Sequence, residues 1–291
     1  MMKAFSAALV LGALGCSSAP HGTRVALPSV ETDSVTAASL GRRVAYNVVL
    51  PAGYDASRKY PILWLLHGYG GNKDDWLHLS DLVDQVQRYP FIVVLPSAEN
   101  SWYVNAPSKQ GAAYETFMTV DLYNDVVRRF SVDTLRQGIA GLSMGGYGAV
   151  TLGLRHPQRY RFVGGLSAAL SILDELGKGD AVLWNVGGKS MLVAFGPDLA
   201  AAATDYDPLH IVGRVSPQTL PYFFLAIGEK DDFRSFLPAS RAFVDSLRVR
   251  GVRYEYHELP GGHTWPFWKM ELRPMLESAW KVLYPDSLSR R

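Results

Sequence analysis

Gly141-Leu142-Ser143-Met144-Gly145 constrains this 291-residue chain more than any other stretch. It follows the apolar run Gly138-Ile139-Ala140 and precedes a small-residue helical pattern from Gly146 to His156. The order is therefore strand, sharp turn, helix, with a serine at the apex. A residue on so tight a turn sits in strained backbone geometry. Side chains two before and two after it would collide with the neighbouring strand and helix, so both flanking positions call for glycine. The pentapeptide alone is a weak signal in a chain with 27 glycines, and its context carries the reading.

That context is a series of buried strands alternating with helices. Pro61 to Leu66 is continuously apolar and closes on His67-Gly68, and Phe91 to Leu95 stops at Pro96. Phe162 to Leu166, Pro221 to Ile227 and Val252 to Glu258 read as further strands, after an early one over Val44 to Leu50. Helices are expected over Lys73 to Arg88, Tyr114 to Phe130, Ala239 to Arg250 and Trp265 to Leu283. The alternation predicts an α/β fold with a mostly parallel central sheet and helices on both faces. Ser171 to Gln218 is less patterned and reads as an insertion of the kind that shapes a binding cleft.

Composition narrows the classes. Hydrophobic residues make up 48% and charged residues 19%, values typical of a globular domain, and a net charge of +2 gives no reason to expect nucleic acid as partner. Cys16 is the single cysteine, so no intramolecular disulfide or thiolate metal cluster can form. No pair of histidines has metal-ligand spacing, and neither metal nor cofactor is expected. Gly187-Gly188-Lys189-Ser190 lacks the earlier glycine of a phosphate-binding loop, Leu183 standing in its place. Residues 1–15 combine Lys3 with an apolar stretch from Ala7 to Leu14, the layout of a signal peptide too short to span a bilayer. Ala13-Leu14-Gly15-Cys16 is similar to a bacterial lipobox, with Ala13 where that motif prefers leucine. The expectation is export with lipidation at Cys16, so that the membrane is met only through that anchor; ordinary secretory cleavage nearby, with Cys16 discarded and the protein periplasmic or secreted, is the alternative. Residues 16–38 read as a flexible tether and 39–291 as one domain.

Chemistry follows from chain order. A serine hydroxyl needs a base to take its proton, and the base needs an acid to fix its tautomer. Downstream of Ser143 lie His156, His210, His257 and His263. His156 ends a helix, His210 sits in the insertion and His257 lies within a strand. His263 stands in the loop Pro260-Gly261-Gly262-His263-Thr264-Trp265, at the carboxyl end of the last strand, where open α/β sheets bind ligands. The acid is sought in Gly228-Glu229-Lys230-Asp231-Asp232, at another carboxyl end. Asp231 is favoured and Asp232 is the competitor, with whichever is not used expected to cap the next helix. Two N–H groups must meet the developing oxyanion: that of Met144 after the serine, and one from His67-Gly68-Tyr69-Gly70-Gly71. Tyr69 is the preferred donor there, with Gly68 and Gly70 as alternatives. The aromatics Trp102, Tyr103, Trp265, Phe267 and Trp268 serve either to stack on a substrate ring or to pack.

These residues resemble the esterase D-type family of α/β hydrolases, which includes feruloyl and acetylxylan esterases, S-formylglutathione hydrolases and the mycolyltransferases. The resemblance spans roughly Gly41 to Leu283. It is densest at Tyr60 to Gly71, Trp102-Tyr103 with Tyr114-Glu115, Ala140 to Pro157, and Gly262-His263-Thr264-Trp265 with Trp268. It implies an α/β-hydrolase fold, Ser143 as nucleophile, His263 as base, Tyr69 and Met144 as oxyanion amides, and a Gly-x-x-Asp pattern that supports Asp231. Asp232 before Phe233 departs from the commoner single Asp-Phe arrangement. The implied activity is carboxylic ester hydrolysis, with acetyl or feruloyl esters of polysaccharide as the expected substrate class. Acyl transfer by the same three residues is the alternative, and a non-catalytic surface binding protein is the third reading.

Overall fold

The structure, a computed structural model, describes residues 27–107 and 112–284. Cys16 and the expected signal segment lie outside the described residues. Eight strands form one sheet in the order β1-β2-β4-β3-β5-β6-β7-β8. They are β1 (Ser29–Ala37), β2 (Arg42–Leu50), β3 (Tyr60–Leu66), β4 (Ile92–Pro96), β5 (Val132–Leu142), β6 (Phe162–Leu166), β7 (Tyr222–Gly228) and β8 (Tyr254–Leu259). β1 and β2 run antiparallel at one edge; every pairing from β4 to β8 is parallel. The helices are α1 (Asp75–Leu79), α2 (Leu82–Val86), α3 (Tyr114–Thr116), α4 (Leu122–Arg129), α5 (Met144–Arg155), α6 (Ile172–Gly177), α7 (Ala181–Phe195), α8 (Leu199–Tyr206), α9 (Pro208–Val212), α10 (Phe236–Val249) and α11 (Trp265–Leu283). This is the α/β-hydrolase architecture.

Why the central strands are continuously apolar is visible in their two faces. All seven residues of β3 are buried. Ile62, Trp64 and Leu66 enter one hydrophobic cluster with Tyr46, Tyr147 and Phe243, while Leu63 and Leu65 enter the other with Phe91, Phe162 and Leu272. Side chains alternate across a strand, so a sheet covered on both faces needs apolar residues at both parities. No described helix is long and apolar enough to cross a membrane.

Three expectations change. Part of the stretch expected as a tether over 16–38 is a strand: Ser29–Ala37 pairs with β2 from Ser29↔Leu50 to Ala37↔Arg42. As an edge strand it buries only Val35 and Ala37, so its polar residues conceal it from a hydrophobicity reading. The single helix expected over Lys73 to Arg88 is two short ones, since Ser80 leaves the helical region at φ −134°, ψ −178°. The insertion is ordered as α6 to α9, and Tyr147 of α5 anchors it by donating its hydroxyl to the Tyr206 carbonyl at 2.7 Å. Beside that anchor, buried Asp207 accepts the Leu173 and Asp174 N–H groups at 3.2 and 3.0 Å, and burial pushes its carboxyl up to about 7. Asp174, Asp207 and His210 lie within 4.8 Å of one another, but Asp207 already serves the first turn of α6, so the group is a capping network.

Candidate active site

Ser143 sits between β5 and α5 with φ +54° and ψ −119°, outside the region most side chains adopt. Two features hold it there. Its N–H donates to the Leu166 carbonyl of β6 at 2.9 Å, and the chain closes up on both sides. A Cβ on Gly145 would lie 2.5 Å from the His67 carbonyl oxygen, and one on Gly141 would lie 2.5 Å from the backbone of Gly145. Glycine at both positions is thus a requirement of packing, as the sequence indicates.

The structure brings Ser143, His263 and Asp231 together. His263 Nε2 lies 2.8 Å from Ser143 Oγ, and Nδ1 lies 3.0 and 3.2 Å from the two Asp231 carboxylate oxygens. The Asp231 side chain is 1% exposed and that of His263 10% exposed, so the pair is shielded from competing water. Asp231 Oδ1 also accepts the Phe233 N–H at 3.1 Å, which fixes the carboxylate's rotation. Three rings, those of Phe233, Phe236 and Trp268, meet the imidazole edge-to-face at 4.8, 5.6 and 5.0 Å between centroids. They restrict its turning. Asp232 is exposed, and it does not cap α10: the position before that helix is Ser235, which makes no capping side-chain bond. The other downstream histidines face carboxylates elsewhere: His156 faces Glu115, His210 faces Asp174, and His257 lies between Glu255 and Glu271.

The loop after β3 is shaped by a buried histidine. His67 Nε2 accepts the Ala98 N–H at 3.0 Å, so its proton is on Nδ1, which donates to the Gly68 carbonyl at 2.8 Å. That carbonyl also accepts the Gly71 N–H at 3.1 Å. Because a trans peptide sets C=O and N–H on opposite sides, holding Gly68 O fixes the direction of the Tyr69 N–H. Gly70 is removed as an alternative donor, since its N–H is bound to Asn100 Oδ1 at 2.7 Å. Met144 opens α5 and so has no intrahelical acceptor for its own N–H. Asn100 is a residue that sequence reading missed, and nothing local marks it: its role exists only because β4 ends beside β3.

Burial holds the His67 imidazole below its ordinary value. The folded protein therefore keeps it neutral while the unfolded chain takes up a proton below about pH 6.5. This preference for the neutral ring stabilises the fold above that pH and is lost as pH falls through about 6.5 toward the depressed folded value. Thermal melts of wild type and His67→Gln between pH 8 and 5 test it. The wild-type midpoint should fall more steeply below pH 6.5, with parallel curves above pH 7; identical slopes throughout would contradict the assignment.

A cleft of about 560 Å³ opens over Ser143. Gly68, Tyr69 and Asp75 line it on the β3 side, Leu142 and Phe233 lie near the serine and histidine, and Trp265, Pro266 and Trp268 come from the start of α11. Val186 of α7 is the insertion's contribution. Trp102 and Tyr103, by contrast, are buried and pack: Trp102 Nε1 donates to Ser190 Oγ at 3.2 Å, and the Tyr103 hydroxyl donates to the His67 carbonyl at 3.0 Å.

With this geometry in hand, similarity to known proteins decides the family. A sequence-family model described as "Putative esterase" matches residues 37–279. The chain belongs to that family. An acetyl esterase of Caldicellulosiruptor saccharolyticus is 30% identical over 235 residues, covering 78% of this chain and 85% of that protein. The diacylglycerol acyltransferase/mycolyltransferase Ag85A of Mycobacterium tuberculosis is 27% identical, covering 94% of this chain and 88% of its own length. Among solved structures, a ferulic acid esterase superposes with a TM-score of 0.74 at 25% identity, over 89% of this chain and 99% of that one. The esterase is a carboxylic ester hydrolase on the fold that the alternation of strands and helices implied.

Proposed function

We propose that this esterase works through a covalent acyl-enzyme built on Ser143, His263 and Asp231. His263 Nε2 takes the Ser143 proton as Oγ attacks the ester carbonyl, and Asp231 holds the proton on Nδ1 and stabilises the imidazolium. The Tyr69 and Met144 N–H groups receive the oxyanion, aided by the positive end of α5. The C–O bond to the alcohol then breaks, His263 returns the proton to the leaving oxygen, and water repeats the sequence to release the acid. The observation that carries this is the continuous contact Ser143 Oγ–His263 Nε2 and His263 Nδ1–Asp231, at 2.8 and 3.0 Å, on the floor of a cleft.

The substrates we propose are acetyl or feruloyl esters of polysaccharide, in keeping with the names borne by the acetyl esterase and ferulic acid esterase relatives. Acyl transfer to an alcohol is the second reading, favoured by the similarity to Ag85A. Export, with a lipid at Cys16, rests on the sequence of residues 1–16. A fluorophosphonate probe should label the protein once per chain, and peptide mapping should find the label on Ser143; no label, or a label elsewhere, would refute the mechanism. Product analysis of acetyl ester turnover with glycerol or xylose present should give mainly free acetate, whereas dominant acetylated acceptor would favour transfer.

A further inference from the structure

Among the described residues Asp75 is the one acidic side chain that lines the cleft, Asp231 being shielded behind His263. It stands at the start of α1, is partly exposed, and shares the cleft with Gly68, Tyr69, Ser143 and His263. Among the described residues its carboxylate has no hydrogen-bond or ion-pair partner. The loop is built around it: a Cβ on Gly71 would fall 2.1 Å from Asp75 Oδ2. Glycine at 71 thus gives the carboxylate its place against the loop that carries the Tyr69 amide.

An unpaired negative charge beside a site that must develop an oxyanion raises the barrier by Coulomb repulsion, unless the substrate engages it. A carboxylate can only accept hydrogen bonds, so what engages it carries a donor. Apart from Thr264, the rest of the wall (Leu142, Val186, Phe233, Trp265, Pro266 and Trp268) is apolar or aromatic and suits an acyl group or the face of a ring. An acetyl group has no donor to give, whereas the hydroxyls of a sugar or glycerol belong to the alcohol half whatever the acyl group. Resting on the ester hydrolysis proposed above, we infer that Asp75 accepts a hydrogen bond from a hydroxyl of the alcohol half, making the enzyme selective for esters of polyhydroxy alcohols over those of plain alkyl alcohols.

The experiment compares kcat/KM for glycerol monoacetate and butyl acetate in wild type, Asp75→Asn, Asp75→Ala and Gly71→Ala. Wild type should favour the glycerol ester. Asp75→Ala should lower that preference roughly tenfold, the worth of one hydrogen bond to a charged group. Butyl acetate turnover should rise as the repelling charge goes. Asp75→Asn, which keeps an acceptor, should retain part of the preference. Gly71→Ala keeps the carboxylate but displaces it, and should lose the preference as Asp75→Ala does. An unchanged ratio in Asp75→Ala would overturn the inference. So would a wild-type preference for acetylcholine over glycerol monoacetate, which would make an ammonium the partner, or for methyl ferulate over methyl cinnamate lost in Asp75→Ala, which would place the donor on the acyl half. Fluorophosphonate labelling of every variant separates the two layers: unlabelled wild type sinks the serine mechanism, and labelled protein with an unchanged ratio sinks only the role of Asp75.

Discussion

Ser143→Ala is expected to lower kcat for short p-nitrophenyl esters by about 10⁶-fold while leaving a folded protein. The hydroxyl oxygen is the only heavy atom removed. Alanine accepts the φ of +54° no worse than serine does, and the Leu166 carbonyl still holds the residue's N–H. What remains should be the weak hydrolysis that Tyr69, Met144 and the cleft give by binding the oxyanion, with His263 free to assist a water. Initial rates at saturating substrate, with far-UV circular dichroism to confirm folding, make the check. A loss smaller than about 100-fold would mean that attack does not come from Ser143.

Asp231→Asn should cost about 10⁴-fold in kcat, and Asp232→Asn no more than about twofold. The contrast follows from the two oxygens of Asp231. Oδ1 accepts the Phe233 N–H, so in asparagine the amide oxygen stays there and the NH₂ takes the place of Oδ2, facing His263 Nδ1. That nitrogen must then accept, the proton moves to Nε2, and the imidazole presents N–H to Ser143 where a lone pair is needed. The exposed Asp232 has no such contact. Parallel kinetics on the two variants decide it, and equal losses would show that the acid is shared or wrongly assigned.

How far these features can be read from residues depends on the range of the cause. The buried strands around Leu63, Val93 and Phe224 declare themselves because every position must be apolar, and the elbow because a turn that tight calls for glycine on both sides of the serine: the Gly145 backbone crowds Gly141, and the end of β3 crowds Gly145. His263 and Asp231 follow from chain order and from the rule that loops at strand carboxyl ends face the ligand. β1 escapes because an edge strand buries one face in part, and Asp133 to Gln137 escape as the polar start of the eleven-residue β5. Asn100 acquires meaning only through Gly70, which the pairing of β3 with β4 sets beside it, and Asp75 only through the cleft that it shares with Ser143 and His263. No periodicity encodes such meetings.

The insertion leaves the sheet after β6 and returns at β7, yet Ser143 precedes it and Asp231 and His263 follow it. Its four helices lend the cleft Val186 and are fastened to the body through the Tyr147–Tyr206 bond. Evolution or an engineer can therefore exchange residues 171–218 like the head of a tool, altering which esters fit while the cutting edge stays set in the handle.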